Sequence, residues 1–261
     1  MLPLFILAAL AYGSASFAYG AGTDEGSSIK QWARWLLAGA AALHLATIGS
    51  QCVDGNHPFT SVFLATSLGL LLAVSGFLAI SAKRRPMRAL GAVLAPLGLI
   101  GLTVGVVMGP GSSHAEASVG LIRAHIALAT LGVSGFILAA GVAGTYLGME
   151  RRLRNKQFQP GQNGISLRGL DRLHWWIVLL TTPVFTVAIV TGAMALLREG
   201  GLEMLSARAV EITAAAVAFL ATTASLVSRA VWGLRGRKAA WLTMVAFVCM
   251  ALILISYGVR S

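Results

Sequence analysis

The sequence predicts an all-α integral membrane protein, a bundle of about eight transmembrane helices with both termini on the outer side. Two observations carry this. The 261 residues are 57% hydrophobic and only 11% charged, with mean hydropathy +0.79, a composition that a soluble domain with a charged surface does not have. The apolar residues also gather into eight stretches, each of about 20 residues and so able to cross the roughly 30 Å hydrocarbon layer as a helix. Little chain remains outside them, so 1–261 reads as one transmembrane helical domain.

The spans are placed near 2–21, 34–51, 61–82, 89–108, 122–148, 173–197, 209–230 and 239–258. The first, LPLFILAALAYGSASFAYG, has a small-residue end like a signal peptide but no basic segment ahead of it; it is read as a retained helix. Orientation follows from the 20 Lys and Arg. Lys30 and Arg34 precede the second span. Lys83, Arg84, Arg85 and Arg88 lie between the third and fourth, and Arg151, Arg152, Arg154, Lys156, Arg168 and Arg172 between the fifth and sixth. Arg229, Arg235, Arg237 and Lys238 flank the last turn. All sixteen fall on one side, which the positive-inside rule makes cytoplasmic. A net charge of +11 is thereby explained by topology and by attraction to anionic membrane lipid, and nucleic acid is not implied as a partner. Trp32, Trp35, Trp175, Trp176, Trp232 and Trp241 fall at the same helix ends, where amphipathic rings anchor at the interface.

In the second span, LHLATIGSQCVDGNHPFT places His44 ten residues beyond Arg34, about 15 Å along the helix axis. His57 follows in a turn of Asp54, Gly55, Asn56 and Pro58. The third span is featureless. The fourth carries Pro96 and then Gly101, Gly105 and Gly109, a four-residue spacing that reads as close helix packing. The polar loop after it holds His114 and Glu116, and the fifth span opens with Arg123 and His125, which project from different sides of a helix. The sixth contains Pro183, whose freed carbonyl Thr181 or Thr182 is expected to satisfy at a kink, and His174, read as a snorkelling interfacial side chain. Glu211 lies near the outer end of the seventh span. Cys52 and Cys249 form no CxxC or CxxCH, which excludes covalent c-type haem attachment; a disulfide between them is a weak expectation.

Four of five histidines thus gather in the outer half of the membrane or just above it. An ionisable group at membrane depth is costly and marks a functional site, and neutral imidazole ligates haem iron. A haem held between two helices needs histidines at matching depth, which makes His44 and His125 the leading pair, with His57 and His114 as outer substitutes. The competing reading is a set of core histidines satisfied by hydroxyls or carbonyls, with solvated histidines in the loops. Zinc is disfavoured, because no carboxylate or thiolate cluster joins them.

The order of LHLATIGSQCVDGNHPFTS, RALGAVLAPLGLI, RAHIALATLGVSGFILAAGVAGTYLGMERRLRNK, LRGLDRLHWWIVLLTTPVFTVAIVTGAMAL and WGLRGRKAAWLTMVAF resembles the cytochrome c assembly protein family over roughly residues 34–258. That family includes the haem-handling CcsA and CcmC proteins and a HemX-like branch. The resemblance implies a multi-pass protein of the inner or plasma membrane that binds haem b. It further implies His44 in the place of an intramembrane ligand and His125 in that of an outer ligand; on this reading Arg123 is the expected haem propionate partner. The family's haem-transferring members carry a Trp-rich loop with an Asp. The corresponding LLREGGLEMLSARAVE has neither, and SYGVRS closes the sequence without a second outer histidine. The expected function is therefore a haem-binding or accessory role in cytochrome c assembly, nearest the HemX-like branch and not a lyase. Cytochrome assembly or respiratory subunits are the expected partners. The alternatives are a haem b electron-transfer subunit working with quinone, for which the inner half offers only His174, or a cofactor-free regulatory or structural subunit that docks a cytoplasmic partner on the Arg151–Arg172 loop.

Overall fold

A computed structural model describes residues 2–20, 29–83, 88–109, 120–156, 166–199, 206–233 and 235–260. They form eight long helices: α1 (Leu2–Gly20), α2 (Ile29–Val53), α3 (Val62–Lys83), α4 (Arg88–Val107), α5 (Leu121–Arg154), α6 (Leu167–Glu199), α7 (Ala209–Trp232) and α8 (Arg237–Arg260). Each is long and apolar enough to cross a membrane, and no strand occurs among the described residues. This is a multi-pass helical membrane protein. Helix α5 runs to Arg154 and α6 begins at Leu167, both farther into the basic segment than hydropathy predicts. Hydropathy sees only the part that needs lipid, whereas Arg151, Arg152 and Arg154 in the last turn of α5 interact favourably with the negative end of the helix dipole.

The helices sort into two compact units, Met1–Ser113 with Gly148–Ser166, and His114–Leu147 with Leu167–Ser261. In the first, α1 packs on α2 and α4, and α3 packs on α4 and α2. Helix α4 lets its neighbours approach on two faces. A Cβ at Gly91 or Gly98 would enter the rings of Tyr19 and Tyr12 on α1. One at Gly101, Gly105 or Gly109 would enter Leu70, Ser67 or Leu64 on α3. The glycine spacing is thus a packing device, as the sequence reading has it.

In the second unit Phe136, Phe185, Ala218, Ala221, Ala246 and Met250 form a core drawn from α5, α6, α7 and α8. The Phe136 and Phe185 rings meet edge to face at 5.1 Å. Gly233, with φ +64°, ends α7 in a left-handed cap whose N–H donates to the Ser228 carbonyl.

Three expectations change. His174 is 4% exposed, so it is a core residue and does not snorkel. The Thr182 hydroxyl donates to the Val178 carbonyl at 2.8 Å, one residue before the Leu179 carbonyl that Pro183 frees. Cys52 and Cys249 are both free thiols, in different units.

Candidate functional site

His44 is completely buried, as is Tyr12. Its Nδ1 lies 3.1 Å from the Tyr12 hydroxyl and its Nε2 2.9 Å from the Ser67 hydroxyl, with the Tyr12 ring edge-on at 5.8 Å. A hydroxyl both donates and accepts, so either neutral tautomer of His44 satisfies the chain Tyr12–His44–Ser67. Two turns farther along α2, Gln51 Nε2 donates to the Gly105 carbonyl at 3.0 Å. Both ring nitrogens of His44 are therefore occupied, and it could ligate iron only by releasing one hydroxyl. Three helices are joined through this one imidazole. The polar links are modest, since interhelical hydrogen bonds in membranes average about 0.6 kcal/mol. Ser67→Ala should accordingly lower stability by about that much. Gly98→Leu, which displaces the Tyr12 ring, should cost about 1–3 kcal/mol as an overpacked core does. Thermal unfolding in detergent measures both, and equal losses would contradict the ranking.

His125 is arranged differently. It stands in the second turn of α5, half-buried, and its Nδ1 lies 2.8 Å from the Ala188 carbonyl on α6. A carbonyl only accepts, so Nδ1 carries the hydrogen and the Nε2 lone pair is left available. No described residue hydrogen-bonds Nε2. A backbone carbonyl holding one ring N–H is how proteins fix the tautomer of a metal-ligating histidine. The ring also needs Gly192, where a Cβ would fall inside the imidazole. Gly192→Val should therefore turn the ring off Ala188 and weaken any ligand bound at Nε2 about 10-fold, the lower end of what loss of such an outer contact costs; titration of added ferric haem reads this.

The residues around His125 depart from the sequence expectation in one respect. Arg123 is exposed. Among the described residues, the cation within electrostatic reach of His125 is Arg208, whose guanidinium donates to the Tyr257 hydroxyl and lies 5.2 Å from that ring's centroid. One turn on, Glu211 is buried and accepts from Ser256 at 2.7 Å. The sequence did hold a signal for Arg208. With sixteen of the 20 basic residues expected on one side, Arg123, Arg198, Arg208 and Arg260 are the exceptions, and exceptions to the expected topology point to local roles. His57 is exposed in the α2–α3 turn, while His114 and Glu116 lie outside the described residues. His44 belongs to the first unit, His125 and Arg208 to the second.

At the basic end of the second unit, His174 Nε2 meets the Thr243 hydroxyl at 2.8 Å, and Thr243 in turn bonds the Ala239 carbonyl at 3.2 Å. The threonine proton goes to the carbonyl, so the threonine oxygen accepts from His174 Nε2–H. Beside it Asp171 takes both arms of Arg229, at 3.0 and 3.1 Å, and the Gly236 N–H at 2.9 Å. Arg229 lies over the Trp175 ring at 4.7 Å. This cluster ties α6 to α7 and to the turn that follows it.

No curated protein and no solved structure matches the chain. A family model does, that of the cytochrome C assembly protein, over residues 55–261. The matched span contains His57, Arg123, His125, His174 and Arg208 and begins after His44. With most of its length inside that match, including the whole of the second unit's helices, the chain belongs to the cytochrome c assembly protein family.

Proposed function

We propose that this protein is a haem-binding accessory factor of cytochrome c assembly, seated in the inner or plasma membrane, with haem b as its cofactor and His125 as the first iron ligand. The observation that carries this is the His125 ring, held by the Ala188 carbonyl with its Nε2 lone pair left available. Haem, when bound, would supply a redox-active iron. On this chain His125 would hold the iron through Nε2, with the Ala188 carbonyl keeping the ring's hydrogen on Nδ1, and Arg208 would hold a propionate carboxylate. Arg123 is the alternative propionate partner and His57 or His114 the outer substitute ligand. His44, in the other unit, is a separate ligand candidate, and taking that role would require Tyr12 or Ser67 to turn away. The HemX-like branch suits the chain better than a lyase, because LLREGGLEMLSARAVE offers no aromatic platform for a haem face.

The test is an absorption spectrum of the detergent-purified protein, oxidised and dithionite-reduced, with a pyridine haemochrome assay. A Soret band and near-stoichiometric haem b are expected. A colourless protein that also fails to take up added haem would overturn the reading in favour of a cofactor-free regulatory or structural subunit.

A further inference from the structure

Arg168 and Arg172 on α6, Arg229 on α7 and Arg235 in the last turn line one cavity of about 300 Å³, together with Asp171, Trp175 and Trp176. Its charge is uneven. Asp171 is the one acidic side chain in the lining, and its carboxylate is saturated by Arg229 and the Gly236 N–H. That leaves Arg168, Arg172 and Arg235, all exposed, with no ion pair or hydrogen bond to any described residue. Three guanidiniums facing one small cavity repel each other, and an anion relieves that repulsion. Planar guanidinium forks match the oxygens of a phosphate.

The surroundings of the cavity select among phosphates. Trp176 sits at its rim, 49% exposed. From Arg172 an exposed stripe continues up α6 through Trp176, Leu180, Pro183, Val187 and Val190. Leu180 is 69% exposed and Val190 52%, and the i, i+4, i+8 spacing keeps the stripe on one face. A charged pocket at the interface, a tryptophan at the level of the head groups and an apolar track leading into the hydrocarbon together describe a lipid whose head group is a phosphate.

We propose that this pocket is a binding site for the phosphate head group of an anionic glycerophospholipid, with the acyl chains lying along the Trp176–Val190 face of α6. Arg168, Arg172 and Arg235 hold the phosphate. The Asp171–Arg229 pair fixes the pocket's back wall, and Trp176 marks the depth of the glycerol backbone. The site is independent of haem.

Delipidated full-length protein in a neutral detergent, titrated with phosphatidylglycerol, phosphatidylcholine or inorganic phosphate and read by native mass spectrometry, tests this. Phosphatidylglycerol should bind at least about tenfold more tightly than phosphatidylcholine, a difference of ~1.4 kcal/mol. In the Arg168→Gln, Arg172→Gln, Arg235→Gln variant that preference should fall to within about twofold. The three side chains hold nothing else in place, so circular dichroism should be unchanged; the Arg172→Gln single variant, with an intermediate loss, covers a triple variant that does not fold. Neutralising Arg151, Arg152 and Arg154 removes the same charge from α5 and should leave the preference intact. An equal preference in the triple variant, or loss of preference in the α5 variant, would overturn the assignment. Phosphate that displaces the lipid at micromolar concentration would overturn it in favour of a free-anion site.

Discussion

His125→Ala should strip haem from the purified protein, lowering occupancy by roughly a hundredfold or more at limiting haem, beyond the 10–100-fold range that loss of an outer-contact residue produces. The variant leaves a space the size of the missing ring, lined by Gly192 and the Ala188 carbonyl, the two groups that receive the imidazole. Added imidazole should therefore restore the Soret band, entering with its N–H toward Ala188 and its lone pair outward as the side chain does. A purely structural histidine would give no such rescue. His44→Ala should differ. It leaves the Tyr12 and Ser67 hydroxyls buried without their partner, so its main effect is on stability, about 2–4 kcal/mol by analogy with other buried truncations. Full haem occupancy in His125→Ala and loss only in His44→Ala would move the ligand assignment to His44.

The second large effect is expected at Asp171. Its carboxylate and the Arg229 guanidinium are about seven-eighths buried, at 12% and 13% side-chain exposure. Removing one member of a buried pair costs about 3–5 kcal/mol, because it strands the other charge. Asp171→Ala also frees the Gly236 N–H and with it the turn between α7 and α8. The midpoint of thermal unfolding should fall steeply, and less so for Asp171→Asn, which keeps an oxygen for Gly236. The Asp171→Leu, Arg229→Leu double variant should recover most of the loss, because neither charge is then stranded. A single-variant loss under about 1 kcal/mol would mean that water or lipid head groups already screen the pair.

Much of this architecture is legible along the chain. Eight apolar stretches, a one-sided distribution of arginines and tryptophans at the same ends are one-dimensional signals, since hydropathy and charge decide where a residue sits along the membrane normal. The spacing of Gly101, Gly105 and Gly109 adds a packing face, and each glycine meets a side chain of α3. His44 and His125 stand out by the same logic, as ionisable groups at membrane depth.

What each histidine does is not one-dimensional. His44 depends on partners 32 and 23 residues away, His125 on one 63 away and His174 on one 69 away. Depth made His174 look like an interfacial residue, and the Thr243 hydroxyl on α8 makes it a core one. Depth made His44 and His125 look alike, yet two hydroxyls saturate the first and a single carbonyl leaves the second a lone pair. Arg208 stood out along the chain only as one of four cations off the basic side, and the fold set it within electrostatic reach of His125. The sequence by itself determined the number of the spans and the apolar middle of each, because the lipid acts on each segment independently of the others. Only the tertiary structure decided which imidazole nitrogen is available and which arginine is paired, because a hydrogen bond is made by two helices in contact and neither sequence segment contains the other's atoms.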